Sequence, residues 1–318
     1  MHSWIEGQFG SLETVEQQKI VRVVNRWTLE EALFNELRSR RPLDNTGGDL
    51  EAEIEATTGD PFCNLDTGTP ADVFGRIRGR SSATASNVAK YEAWSAVIVF
   101  DEHNPLRLTE AGVDDAIRTA WAWAARVHQV DPPARFFLFM WNCLWRSGSS
   151  IVHGHAQAAV ARRRHYAHVE RWRLAAAAYR RRCRTAYFED LFEAHRALGL
   201  AFEDRGVRVL AHLTPLKERE TLLIAPSLTP ELRRAVYLAL STFTERLGVR
   251  SFNAGMYHPP LAAPRAGWKG FPVLFRVLDR GDPGNRNSDI GAMELFAASV
   301  IASNPFDVAA ALRQRFSE

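Results

Sequence analysis

His153, His155 and Gln157 stand two residues apart in the stretch Ser147-Gly148-Ser149-Ser150-Ile151-Val152-His153-Gly154-His155-Ala156-Gln157. On an extended strand three side chains so spaced share one face. A neutral imidazole can attack phosphorus, and a carboxamide N–H can hold a phosphoryl oxygen without adding charge. Gly148, Ser149 and Ser150 can add hydroxyl and backbone donors to the same anion. A solvated strand face could carry the same residues with no chemistry at all. The small-residue turn, the upstream Asn142 and the apolar run before it favour a phosphate-handling site.

The elements that must hold these residues lie close by. Residues 136–145 are apolar except for Asn142, the pattern of a buried strand feeding the motif. Residues 96–100 are a second apolar strand, preceded by Asn87, which is either a turn residue or a ligand contact. Residues 109–129 have helical spacing with Thr109 as N-cap, and Asp131-Pro132-Pro133 ends that helix. Residues 15–37 also show helical spacing, through Trp27, Leu33, Phe34 and Leu37, with Pro42 and Gly47-Gly48 closing the lead-in. Arg162 to Arg164, Arg171, Arg173, Arg180 to Arg182 and Arg184 mark a long basic helix over 161–184. From residue 186 the pattern partly repeats. Helices are expected at 188–198 and 229–247, and strands at 207–213, 221–225, 251–257 and 273–278. A polar loop over 280–289 leads to helical residues 291–315, broken at Asn304-Pro305.

The 318 residues, 46% apolar and 24% charged, suffice for one large domain or two of about 150 residues. A net charge of only +3 gives no reason to expect a nucleic-acid partner. It also favours reading the basic helix as a solvated face over a surface that steers a polyanion. The N-terminus lacks a basic-then-apolar signal pattern, and no apolar run approaches the roughly 20 residues that cross a bilayer. Cys63, Cys143 and Cys183 are too few for a disulfide framework, so a reduced cytoplasm is the expected setting.

Residues 142–157 resemble the active-site segment of galactose-1-phosphate uridylyltransferases, a branch of the histidine triad superfamily. That family reads Asn, then a Gly-Cys/Ala-Ser turn, then His-Pro-His-Gly-Gln. Asn142, Gly148, Ser150, His153, His155 and Gln157 match it, while Gly154 replaces the Pro and Ala156 the Gly. The resemblance extends more loosely over residues 60–315, through Glu220-Thr221, Tyr257-His258-Pro259-Pro260 and the segment from Pro305. It implies an α+β fold of two histidine-triad-like halves, antiparallel sheets flanked by helices. Residues 1–59 would be a helical extension and linker. Residues 60–184 would be the first half with the motif and basic connecting helix, and 185–318 the second half.

The same resemblance implies a nucleotidyltransferase. His155 would attack the α-phosphorus of a nucleotide or nucleotide sugar and pass the nucleotidyl group to a phosphorylated acceptor in a ping-pong reaction. Gln157 and Ser150 would hold the non-bridging oxygens, and Asn87, Asn142, Gly148 and Ser149 would contact the nucleotide. Asp60-Pro61-Phe62-Cys63 stands where the family often has Cys-Pro-Phe-Cys, so Asp60, Cys63, His103 and His153 would form a structural zinc site. Zinc accepts oxygen in place of sulfur, at a cost in affinity. A second metal site of the family is expected to be absent, because the strand at 271–275 has no histidine and His258 stands alone. A homodimer is expected by the same analogy, with no membrane or nucleic-acid partner. The alternatives are a dinucleoside polyphosphate phosphorylase or hydrolase, and a catalytically silent nucleotide-binding protein. Gln157 favours transfer over hydrolysis, because a carboxamide cannot activate water.

Overall fold

Two short helices begin the described chain, α1 (His2–Phe9) and α2 (Leu12–Glu16), and the long amphipathic helix expected over residues 15–37 does not form. A strand pair follows, β1 (Val21–Val24) and β2 (Glu31–Phe34), in this computed structural model, which describes residues 2–41, 47–262, 267–288 and 290–318. The helix fails for local reasons. Val21, Val23 and Val24 favour the pleated strand. The Asn25 carboxamide oxygen accepts from the Trp27 and Thr28 amides, closing a turn, and Leu29 is left-handed at φ 59°. Of the expected linker, Pro42 lies outside the described residues. Gly47-Gly48 lead into α3 (Leu50–Glu55), and α4 (Leu65–Gly68) follows.

The main body alternates strand pairs and helices. It runs β3 (Ser82–Ser86), β4 (Trp94–Phe100), α5 (Glu110–Val130), β5 (Phe136–Cys143), β6 (His155–Ala161), α6 (Ala167–Cys183) and α7 (Tyr187–Ala197). It continues β7 (Ala201–Asp204), β8 (Val207–Ala211), β9 (Thr221–Ala225), α8 (Pro230–Ser241), β10 (Phe252–Tyr257) and β11 (Val273–Asp279), and closes with β12 (Ala298–Ile301) and α9 (Pro305–Phe316). Thr109 and Thr229 cap α5 and α8 as N-caps, each accepting from the amide three residues on. Nine strands form one antiparallel sheet in the order β3-β4-β6-β5-β10-β11-β9-β8-β7.

Within that order a unit recurs. A strand pair, a crossover helix and a second pair give β3-β4-β6-β5 around α5, and then β8-β9-β11-β10 around α8. The two units join through β5 and β10, with Met140 opposite Gly255, and α5 packs on α8.

Three segments differ from expectation. β7 is an added hairpin strand, turned on left-handed Arg205 and Gly206. The helix expected to run to residue 247 passes into a π-helical turn after Ser241. In the tail, β12 interrupts the helix and pairs in parallel with β2, a long-range partner that local spacing cannot reveal. Among the described residues no helix is long and apolar enough to cross a membrane.

Alternation along the strands sorts the core. Ala156, Ala158 and Val160 of β6, with Phe137, Phe139 and Trp141 of β5, face α5 and α8. The opposite face carries a second core of Phe136, Leu138, Trp172, Phe188 and Leu274, roofed by α6 and α7. In that core Arg276 lies over Trp172 at 5.1 Å and ion-pairs with Glu220 at 2.5 Å and Glu30 at 3.0 Å. Glu30 also accepts from the Trp172 indole at 2.9 Å. Burial alone would raise the Glu30 carboxyl, but Arg276, and after it His212, hold it far below the carboxylate range.

Two histidines sit in the same layer without a charge partner. His165 is packed between Phe136 and Trp268, and His195 donates to the Leu191 carbonyl and accepts from the Leu213 amide. Burial drives each down to about 4; His212 beside His195 and His258 beside His165 add to the shift. Unfolded, both take up a proton near pH 6.5, whereas folded they resist until about pH 4. Stability is therefore full above pH 6.5 and is lost as the pH falls from there toward 4. Each group contributes up to about 3 kcal/mol to that loss. Chemical denaturation at a series of pH values should show a steep decline over this window; a flat profile between pH 7 and pH 5 would contradict it.

Candidate active site and metal centre

His155 opens β6, opposite Val99 of β4. Its Nδ1–H donates to the His153 carbonyl at 2.7 Å, which leaves Nε2 as the ring nitrogen with a free lone pair. The ring is 6% exposed, and burial lowers its pKa while the His153 carbonyl opposes that shift. Both effects matter to a nucleophile, since one fixes the tautomer and the other favours the neutral form. The edge of Phe62 lies 5.1 Å from the His155 ring, centre to centre.

The sheet register adds neighbours on the same face. Gln157 pairs with Val97 on one side and Met140 on the other. Two residues beyond Met140 on β5, Asn142 lies on the same face, and it pairs with Asn253 of β10. His155, Asn142 and Asn253 thus lie along one face of three neighbouring strands. The Asn253 amide donates to Asn142 Oδ1 at 2.7 Å and to the Ser147 carbonyl at 2.9 Å. Arg280 donates to Asn253 Oδ1, and Arg146 reaches the Arg280 carbonyl at 3.2 Å, so guanidinium groups back this end of the face.

The turn ahead of the strand is tightly held. Leu144 and Gly148 are both left-handed, at φ 66° and 95°, and Ser147 and Ser149 donate their hydroxyls to the carbonyls of Leu144 and Ile151. Ser150 is exposed. Gln157 Oε1 is buried with no hydrogen-bond partner. Turned over about its amide, that group presents an N–H to an incoming oxygen from the same place. Asn87 stands apart on the β3–β4 connection, its Oδ1 accepting from the Ala89 amide in a turn.

His153 precedes the strand instead of lying on it, and its ring turns into a separate cluster. The ligand atoms of Asp60, Cys63, His103 and His153 all lie within 4.8 Å of one another. The His103 and His153 Nδ1 atoms are 3.1 Å apart, Cys63 Sγ is 3.4 and 3.3 Å from them, and Asp60 Oδ1 is 3.6 Å from His153. Neighbouring ligands of a tetrahedral zinc stand about 3.3–3.6 Å apart, given bonds of roughly 2.0–2.3 Å.

The hydrogen bonds favour a cation as well. His153 Nε2–H donates to the Phe100 carbonyl at 2.7 Å, and His103 Nε2–H to the Ile54 carbonyl at 3.1 Å. Both Nδ1 lone pairs therefore face inward, toward each other and toward the Cys63 sulfur, an arrangement that repels itself without a positive centre. Asp60 Oδ2 is buried and unpartnered. The residues fit a zinc ion, which would pin the Phe62 loop and the His153 backbone beside His155. Purified protein should carry about one zinc per chain. Cys63→Ser and His103→Ala should each lower that content and the melting temperature. Metal-free wild type whose melting zinc does not raise would contradict the assignment.

Sequence reasoning missed Phe62 as a wall of the site, and Asn253 and Arg280 as its far end. Asn253 had a signal, since it stands on the strand of the second unit that mirrors Asn142. At 271–275 the strand presents no histidine, and the next residue is Arg276 with its two carboxylates.

No known family profile matches the chain, and no curated protein matches it. Solved structures do match in shape. An ADP-glucose phosphorylase from Arabidopsis thaliana with bound ADP-glucose superimposes with a TM-score of 0.72 at 14% identity, over 93% of this chain and 99% of that one. A galT-like protein from the same organism gives 0.68 at 14% identity, over 92% and 98%. A uridylyltransferase gives 0.65 at 15% identity, over 94% and 99%. The chain therefore has the α+β fold of these galT-like structures, antiparallel sheet flanked by helices.

Proposed function

We propose that the protein is a nucleotidyltransferase that works through a nucleotidyl-His155 intermediate. One observation carries this reading: His155 is locked by the His153 carbonyl with Nε2 available, on the same sheet face as Asn142 and Asn253. In the first half-reaction Nε2 attacks the α-phosphorus of a nucleotide sugar or related nucleotide. The N–P bond forms as the bond to the bridging oxygen breaks, and the sugar phosphate leaves with that oxygen. In the second, an oxygen of a phosphorylated acceptor or of phosphate attacks the same phosphorus and the imidazole departs. The proton on Nδ1 stays with the His153 carbonyl throughout, so the charge that develops on the ring is stabilised where it forms. Gln157 and Ser150 serve the non-bridging oxygens, and Asn142, Gly148, Ser149 and Asn87 are assigned to nucleotide contacts.

The ADP-glucose in the matching phosphorylase makes ADP-sugars the first donors to try, with phosphate as acceptor, alongside UDP-sugars and hexose phosphates. Incubation with a donor labelled in the α-phosphate should give protein-bound label that is acid-labile and base-stable, and labelled sugar phosphate should exchange into unlabelled donor before any acceptor is added. A catalytically silent nucleotide binder is the competing reading, and the low exposure of His155 under Phe62 favours it. Binding with no label and no exchange would establish that alternative. We assign a nucleotide donor and a phosphorylated acceptor as the partners, a homodimer as the assembly and the cytoplasm as the setting, all by analogy with the fold.

A further inference from the structure

One sizeable cleft lies away from His155. A cleft of about 860 Å³ opens between α6, the start of α7 and the edge formed by the ends of β9 and β11. Its place in the sheet separates it from the proposed active site. β6 and β9 are four strands apart, about 19 Å. The cleft also meets the sheet at Ala225 and Pro272, at the opposite strand ends from His155.

The cleft exists because α6 carries Ala175 to Ala178 at its middle, so no side chain fills the space beneath the helix. Around this gap the helix places Arg173, Arg180, Arg181 and Arg184, and Lys269 stands across from them. Positions 173, 180 and 184 are spaced by seven and four, one helical face. Arg180, Arg181, Arg184 and Lys269 have no carboxylate partner among the described residues. Arg173, by contrast, is paired with Glu170 at 2.6 Å. The Arg180 guanidinium packs where a Cβ on Gly270 would meet it at 2.7 Å, and Arg173 lies over Trp268 at 5.4 Å. Gly270 is left-handed at φ 78°, which leaves that approach open. On the far rim Glu189 and Glu203 are both engaged by Arg208, at 2.5 and 3.6 Å. The floor is apolar, with Phe188 edge-on to Phe271 at 5.2 Å.

We infer that this cleft is a second binding site, for a small ligand carrying two or more phosphate groups. Four cations without a carboxylate partner around one half-open cleft match a multiply charged anion, and a singly charged one would leave most of them repelling each other. Guanidinium forks suit phosphate oxygens. The apolar floor admits a planar ring beside the phosphates, as a nucleoside polyphosphate has. The volume is that of a small-molecule site.

The test titrates the full chain with inorganic tripolyphosphate by calorimetry, in wild type and in His155→Asn, because the proposed active site also handles phosphate. Binding should persist in His155→Asn. It should weaken at least about 10-fold in Arg180→Ala and further in Arg180→Ala/Arg184→Ala, and stay unchanged in Arg163→Ala/Arg164→Ala, which removes charge outside the cleft. Competition with ATP tells the two sources apart: tighter binding than tripolyphosphate marks a nucleoside polyphosphate, and equal binding a bare polyphosphate. No tripolyphosphate binding, or binding unaffected by the Arg180/Arg184 change, would overturn the proposal. So would a change of oligomeric state in that variant without anion binding, which would mean that a second copy of the chain fills the cleft.

Discussion

His155→Asn lowers turnover by about 10⁴-fold or more and leaves nucleotide affinity within a few-fold of wild type. The asparagine is small enough for the pocket and keeps a polar group near the His153 carbonyl, so the fold should survive. It has no lone pair basic enough to displace a phosphate, and losses of this size follow removal of a covalent nucleophile in other enzymes. Gln157→Ala should fall short of that, at about 10²–10³ in turnover, because it removes one donor to the moving charge and leaves the nucleophile in place. The ordering is the informative part. Steady-state rates with an ADP- or UDP-sugar and phosphate would measure it; a His155→Asn enzyme with a rate near wild type would remove His155 from the chemistry.

Arg276→Met destabilises the protein by about 3–5 kcal/mol, the usual cost of removing one partner from a buried ion pair. Methionine roughly conserves the volume over Trp172, so packing is not the main loss. The loss comes from Glu220 and Glu30, two buried carboxylates that lose the guanidinium standing at 2.5 and 3.0 Å from them. In a chain of this size the change should lower the melting temperature by on the order of 5–8 °C. A second readout is specific to the topology. Glu30 is the residue through which the β1–β2 segment reaches the main sheet, so this segment should become the first target of limited proteolysis. Replacing all three together, Glu30→Gln, Glu220→Gln and Arg276→Met, should recover much of the loss, since no charge is then buried alone. Thermal melts of the single and triple variants check this; an unchanged melt in Arg276→Met would mean the cluster contributes little.

The candidate residues at 153–157 could be picked out before the fold because they depend on residue type and short spacing. The strands at 96–100 and 136–145 and the Thr109 cap were equally local signals, and they stand where expected. What the spacing could not supply was long-range pairing. Whether residues 21–34 are helix or hairpin is decided by Asn25 closing a turn and by β12, which arrives from the far end of the chain. His153 was placed on the strand by periodicity, yet the structure stops the strand at His155 and sends His153 into the Asp60–Cys63–His103 cluster. That cluster itself was reached through family likeness, not from spacing, since its members are up to 93 positions apart in the chain, from 60 to 153. The cleft under α6 was half visible. The arginines were plain, but nothing in the sequence showed that four alanines would leave a space beneath them.

Intact-protein and peptide mass spectrometry after incubation with a nucleotide sugar, quenched under basic conditions, bears most directly on the enzyme reading. The expected result is a single nucleoside monophosphate adduct on the peptide containing His155, gained in wild type, discharged by added phosphate and missing from His155→Asn. An adduct that maps to another residue, or an unmodified protein that still turns over substrate, would contradict it.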